Sequence, residues 1–430
     1  MLRLFPAGLA SACLSLLAHA APPAAQPGGP APPAGSDWPN FRGPRHDGTS
    51  PERGLLRSFP PGGPKVLWTV PVGPGYGPPA VRDGEVFLLD RRGNSADELR
   101  VLDFATGKQK WSYEYLARGA LKHDGSRSTP TVDEKLIFSI GPFGDIRCVS
   151  RETHKPLWKL HLLRDFGGEM PRWGVAQSPL LDGDRIIVAP QSRTVGLAAL
   201  DKSTGRVLWK SPPIGEMRYV SPAPATLAGR RQVLMLSFDT AVGVDPGTGR
   251  ELWRFGGFSC RNSIPDLLPL DANRVLITGG YDAGTTILRV EGGGDGLAVR
   301  PVARHDDIGA QIHPPYFLGG FLYALCNTNT ADDGLVCFDQ QLKVRWQTRR
   351  SPSLDRGGMV LTADGLLYSM DGRSGELRTI QPGPDGYREL AKSPPLISGQ
   401  ELWSPLVLSC GRLLIRDHKQ LKCIDLRPGP

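Results

Sequence analysis

The sequence predicts an all-β fold: an eight-bladed β-propeller of four-stranded antiparallel blades, closed by an N-terminal strand at 65–72 that completes the last blade. Three observations carry it. The 430 residues include 53 Gly and 41 Pro, which disfavour helix interiors. Tryptophan recurs at a near-constant interval: from Trp68 the steps are 43, 47, 51, 44 and 93 residues, the last close to two steps. The tryptophans at 111, 158, 209, 253 and 346 each end a similar segment, which is the mark of a repeat architecture.

Residues 1–20 read as a secretory signal. Arg3 gives a basic start, an apolar stretch runs from Leu4 to Leu17, and Ala18-His19-Ala20 supplies the small-x-small cleavage pattern. A lipid-attachment reading at Cys13 would strand Leu14–Leu17 on the mature protein, so cleavage after Ala20 is preferred. Residues 21–35 contain almost only Ala, Pro and Gly. They cannot bury enough apolar area to offset chain entropy and read as a disordered tether. Residues 36–64 are expected to be an extension that packs on the propeller, which occupies 65–426. Outside the signal there is no apolar run long enough to cross a bilayer.

Within the repeat, Asp103, Asp201 and Asp245 lie eight residues before a tryptophan, and Gly107, Gly205 and Gly249 lie four before it. Aspartate at a strand end accepts from backbone N–H groups just ahead, and Thr-Gly completes a tight turn. Each unit is thus a hairpin that delivers an indole to one place. Upstream of each turn stands a Pro-marked strand–turn–strand segment, such as 177–189 and 313–325. Alternating residues (Ile186, Val188; Leu322, Ala324) suggest half-buried strands. Four strands fill about 45 residues, as blades do. Such a sheet buries both faces only by stacking on others around an axis. Starts near 78, 129, 178, 222, 264, 314, 358 and 404 give eight units. The last lacks a fourth strand, and 65–72 supplies one that pairs near Lys422. Degenerate tryptophan positions are expected near Arg300 and near Tyr387–Arg388, after the turn in 369–380. Seven blades are the alternative, if the sixth or seventh unit is an insertion. After signal removal six cysteines remain. Cys326–Cys337 and Cys410–Cys423 could face across hairpins, but Cys148, Cys337 and Cys423 share one repeat position and read as core residues.

The Asp-x-x-Thr-Gly-x-x-x-Trp turns at 103–111, 201–209 and 245–253 resemble the repeats of pyrroloquinoline-quinone-type (PQQ-like) β-propellers. That family includes quinoprotein alcohol dehydrogenases and BamB-like outer-membrane assembly proteins. The opening 37–56 and the end 412–426 resemble its exported bacterial members. The resemblance implies a propeller. Its enzyme branch implies PQQ with Ca²⁺, often beside a disulfide between adjacent cysteines. This sequence has no Cys-Cys pair and no CxxCH haem site, and the Ca²⁺ ligands cannot be carried over residue by residue.

Other catalytic signatures are absent: there is no GxSxG, HExxH or P-loop. The glycine-rich run 73–78 leads into Pro78-Pro79, so no helix N-terminus can cradle a phosphate, and it reads as an interblade loop. The histidines show no metal-ligand spacing. The net charge of +8 comes from scattered pairs such as Arg91-Arg92 and Arg349-Arg350, which excludes a nucleic-acid patch.

A site is expected where the loops between blades gather at the axis. Those loops carry Arg127, Trp173, Gln177, Arg218, Arg261, Asn262, His313, Arg356 and Trp403, with His123, Tyr219, Gln311, Asp355 and Glu401 among them. Several arginines around one funnel focus field on an anionic ligand. Trp173 and Trp403 fall outside the repeat position, which leaves them free for binding. The reading is an exported, non-catalytic propeller of the periplasm or cell surface, acting as a binding or assembly scaffold. It expects no cofactor and no metal, a monomer, and an envelope protein or an anionic or polymeric ligand at the funnel. The alternatives are a PQQ-dependent dehydrogenase for alcohols or sugars, with calcium, and a carbohydrate- or polymer-binding module.

Overall fold

The computed structural model describes residue 2 and residues 36–429 apart from 294, 295, 329 and 330. The expected signal and tether, with Cys13, lie outside the described residues. The described residues form no helix, and their strands make eight antiparallel sheets. Seven of these run in chain order. The innermost strands begin at Ala80, Thr131, Leu180, Ala223, Leu268, Tyr316 and Met359. The eighth sheet joins Val407–Ser409, Arg412–Arg416 and Gln420–Asp425 to Val66–Pro71. Trp68 there lies opposite Cys423 and Thr69 opposite Lys422, so the chain's two ends share one blade.

The hydrophobic clusters draw on neighbouring blades. One joins Ala199 and Trp209 to Leu234, Val242 and Val275. This is why the half-buried strands expected from alternation are buried on both faces: Ile187, between Ile186 and Val188, and Tyr323, between Leu322 and Ala324, are buried as well. The next blade covers the face that alternation would leave to water.

The repeat turns carry the inter-blade contacts. Asp201 Oδ1 accepts from the Thr204 backbone N–H and from its hydroxyl, both at 2.9 Å. Gly205 N then closes on Asp201 O at 2.8 Å with φ of +73°. Trp158 of the preceding blade lies on that turn. Its Nε1 donates to Lys202 O at 2.9 Å, and a Cβ on Gly205 would stand 2.8 Å from its ring. Trp68 on Gly107 and Trp209 on Gly249 repeat the arrangement. In the second blade His154 replaces glycine at φ +60°, and Trp111 stacks on the imidazole at 4.2 Å.

Two degenerate positions differ from expectation. In the fifth blade, whose outer strands Gly284–Gly293 and Gly296–His305 are long, Ala303 takes the tryptophan position opposite Ile287. In the seventh, Ala391 takes it, opposite Thr379. The Asp371–Gly375 turn joins the second and third strands there, so it lies at the opposite end of the blade from the other repeat turns. Local turn chemistry is the same at both ends, which is what misleads the alignment. All six described cysteines are free thiols, and only Cys410 among them is exposed.

Residues 36–56 run along the innermost strands. Trp38 exchanges both backbone hydrogen bonds with Val81, and Pro39 O accepts from Val132 N at 2.8 Å. Gly48 lies against the Tyr316 hydroxyl. Thr49–Ser50 add a fifth, parallel strand to the seventh blade, and Glu52 accepts from Gly411 N in the eighth. One segment therefore touches the inner strands or turns of five blades and spans the axis.

Candidate functional site: the axial cavity

A cavity of about 640 Å³ lies on the axis, within the range of small-molecule sites (roughly 300–1,000 Å³). The loops that lead into the innermost strands form its wall. Trp38, Phe41 and Arg42 of the N-terminal segment form one side.

Two of the wall loops are fixed from behind. Arg416, buried, donates to Gly73 O at 2.8 Å and Gly77 O at 3.1 Å, and Tyr76 N donates to Ser126 O. A Cβ on Gly125 would overlap Pro74 O at 1.8 Å, so these loops meet backbone to backbone and hold Tyr76 and Arg127 at the wall. Arg91, fully buried, pairs with Asp97 at 2.6 Å and donates to Ala117 O and Gly119 O, anchoring the loop that carries His123.

Five of the nine expected site residues line the cavity: Arg127, Trp173, His313, Arg356 and Trp403. Gln177, Arg218, Arg261 and Asn262 do not. Gln177 is buried and exchanges two 2.7 Å hydrogen bonds with the Ala189 backbone, so its amide is used up in its own blade. Arg218 pairs with Glu216 at 2.9 Å and stacks over Phe238. Arg261 is exposed. Lying in the right loop does not set the direction of a side chain.

Around one oxygen, three loops meet. Glu401 Oε2 accepts from the Tyr76 hydroxyl at 2.5 Å and lies 3.0 Å from His123 Nδ1. Burial alone would raise the Glu401 pKa, but these two partners outweigh it and leave the carboxyl below its usual range. Glu401 holds a left-handed backbone (φ +58°), a strained state for a non-glycine residue that the surrounding contacts must maintain. Asp355 is engaged by Arg356 at 3.2 Å, and Arg356 also reaches Gln311 and stacks 4.9 Å over Trp403.

Two aromatic pairs face the cavity: Tyr76 on Trp403 (6.0 Å, 29°) and Trp173 on Tyr219 (5.4 Å, 24°). The His123 ring stands between them, at 89° to Trp173. The Trp173 and Trp403 indole nitrogens and His313 Nε2 are buried without a hydrogen-bond partner. Burial, with the charge of Arg42 adding to it, pulls His313 down to about 3, so the ring is neutral.

Residues the loop logic leaves out are Tyr76, Trp38, Phe41, Arg42 and Asp266. Tyr76 was within reach, because closing the ring at 65–72 makes 73–79 an interblade loop like the other seven. Asp266 lies in the same interblade loop as Arg261 and Asn262. Trp38, Phe41 and Arg42 carry no repeat signal, because the extension has no counterpart in the blades.

The family model described as outer membrane protein assembly factor BamB matches residues 116–256. That match covers a third of the chain; what the described body shares with the solved structures most like it is the propeller fold. The propeller resembles BamB from Moraxella catarrhalis at 14% identity and TM-score 0.58, over 85% of this chain and 98% of that one. It resembles the quinohemoprotein alcohol dehydrogenase of Comamonas testosteroni at 12% identity and TM-score 0.64, over 92% of this chain and 81% of that one. It resembles the computationally designed protein Ika8 at 12% identity and TM-score 0.55, over 84% of this chain and 98% of that one. At these identities the likeness is one of fold. No curated protein sequence matches the chain.

The axial cavity does not offer the donors that a Ca²⁺-bridged quinone needs. Among the described residues no group of three or more His, Cys, Asp or Glu is placed to hold a metal ion. Asp355 and Glu401 are already engaged by guanidinium, imidazole and phenol, and Asp266 is pushed up to about 6 by burial. No step is routed through that cofactor.

Proposed function

We propose that this propeller is exported to the cell envelope and works by binding, with no chemistry of its own, and that the axial cavity is its ligand site. The leader-like 1–20 and the tether-like 21–35 support export, and no helix among the described residues is long and apolar enough to cross a membrane.

One observation carries the binding reading: an axial cavity of small-molecule size is walled by two stacked aromatic pairs and by the guanidinium groups of Arg42 and Arg127. Arg42 and Arg127 add positive charge. Their only hydrogen bonds are to backbone carbonyls, and neither has a carboxylate partner among the described residues.

The test is a thermal-shift screen of the purified protein against dicarboxylates, sugar acids, oligosaccharides and peptidoglycan fragments. A ligand at a hundred times its Kd stabilises by about 2.7 kcal/mol. The reading expects a hit whose shift disappears in both Trp173→Ala and Trp403→Ala. Hits that ignore both substitutions would overturn it. Adding pyrroloquinoline quinone and Ca²⁺ is expected to give no dye reduction with alcohols or sugars.

A further inference from the structure

We infer that the ligand of the axial cavity is an organic dianion: two carboxylate or phosphate groups on an apolar body, one held by Arg42 and the other by Arg127. This rests on the binding reading above and names its ligand class.

The first ground is that both guanidinium groups line the cavity with donors to spare. A guanidinium carries five N–H groups in a fixed fork. Arg42 spends Nη2 on Asp47 O at 2.8 Å; Arg127 spends Nη1 on Gly125 O at 2.8 Å and Nη2 on His123 O. Arg42 Nε and Nη1 and Arg127 Nε have no partner among the described residues. Unlike the Trp173 and Trp403 indole nitrogens, they are not sealed from solvent.

The second ground is that neither charge is balanced. Neither guanidinium forms an ion pair among the described residues. Asp47 accepts from the Thr49 backbone and hydroxyl at 2.8 and 2.7 Å, and Asp124 faces Gly125 N at 2.8 Å and Arg91 at 3.8 Å. Asp266 feels the charge of Arg42, but its Oδ1 accepts from Ser221 N at 2.9 Å and no ion pair joins the two. Glu401 is held by Tyr76 and His123, and Asp355 by Arg356. Burial pulls Arg127 down to about 10, against the weaker pull of the charges around it. A partly buried cation without a carboxylate of its own calls for an anionic oxygen, and a guanidinium takes carboxylate or phosphate in bidentate geometry.

The third ground is placement. The charge of Arg42 acts on His46, Asp266, His313 and Tyr316, whereas that of Arg127 acts on Tyr76 and Tyr219. The two sets do not overlap. One guanidinium belongs to the segment that crosses the axis and the other to the loop before the second blade, so one acidic group does not serve both. The wall also holds Trp38, Phe41, Trp173 and Trp403, which suit an apolar body between the two acids.

The test is isothermal titration calorimetry of the purified protein with unbranched α,ω-dicarboxylates from glutarate to dodecanedioate. The monoacid, the diol and the bisphosphonate of the best-binding length complete the set. The inference expects a diacid to bind about 10- to 100-fold tighter than its monoacid, and the diol to bind more weakly still. The bisphosphonate separates the two kinds of acid, and tight binding of either supports the inference. Arg42→Gln and Arg127→Gln should each bring the diacid down to the affinity of the monoacid, while Arg127→Lys keeps part of the difference. Melting temperatures equal to wild type exclude misfolding; where Arg42→Gln melts early, the two Arg127 variants carry the test. Diacids no tighter than monoacid and diol at every length, or an unchanged diacid affinity in Arg127→Gln, overturn the inference. A neutral hit from the thermal-shift screen that depends on Trp173 and Trp403, with no diacid bound, overturns it and leaves the binding reading standing. Failure of every ligand in both experiments overturns both.

Discussion

Replacing Gly205 by alanine tests how one blade is joined to the next, and Gly84 provides the control. Both glycines have φ of +73°. An alanine there pays the same left-handed strain at either site, about 1–2 kcal/mol. It also restricts the unfolded chain equally at both. The surroundings differ. A Cβ on Gly84 meets nothing within 4 Å, whereas one on Gly205 falls 2.8 Å from Cδ2 and 2.9 Å from Cε3 of Trp158. Contact that close forces the indole off the turn and strains its 2.9 Å bond to Lys202 O. Overpacking of this kind costs about 1–3 kcal/mol. Gly84→Ala should therefore destabilise by about 1–2 kcal/mol and Gly205→Ala by about 2–5 kcal/mol. Thermal and urea unfolding followed by circular dichroism read the difference. Equal losses at the two sites would refute the idea that the turn glycine exists to seat the neighbouring tryptophan.

The closing blade makes a second prediction. Trp68 is 8% exposed and joins the chain's two ends, so Trp68→Ala should cost about 3–5 kcal/mol, read by the same unfolding experiment; a loss under about 1 kcal/mol would contradict its role. A third concerns pH. His313 falls from 6.5 to about 3, so between those values the unfolded chain binds the extra proton and acid destabilises the fold. From pH 7 to 5 the wild type should lose about 2 kcal/mol more than His313→Gln. Asp266 has the opposite sign: raised from 3.8 to about 6, it takes up its proton first in the folded state, so wild type should gain about 1 kcal/mol relative to Asp266→Asn over the same interval. Stability curves at the two pH values check both. Finally, among the six described cysteines a thiol reagent should modify only Cys410 in the native protein, and the five buried ones only on unfolding.

The fold was legible because its turns write themselves into the chain. Asp, Thr, Gly and Trp hold fixed offsets, since a hairpin of that geometry and an indole on the next turn require them. Counting strands in the last unit even revealed that Val66–Pro71 must close the ring. Where the turn degenerates, as at Ala303 and Ala391, the position could not be read, because nothing but backbone pairing defines it. The site was legible to the level of the loop. Trp173 and Trp403 were picked out because they break the repeat, and both line the cavity. Gln177 and Arg218 came from the same loops, yet one satisfies its own backbone and the other an adjacent carboxylate. Arg42 was beyond reach, because nothing local says that residues 36–56 cross the axis.

A crystal structure of the protein with the ligand found by the thermal-shift screen tests the central claim most directly. The account predicts that ligand in the axial cavity, against Trp173, Trp403 and Arg127. A cavity left empty while the ligand sits on the outer strands would contradict it.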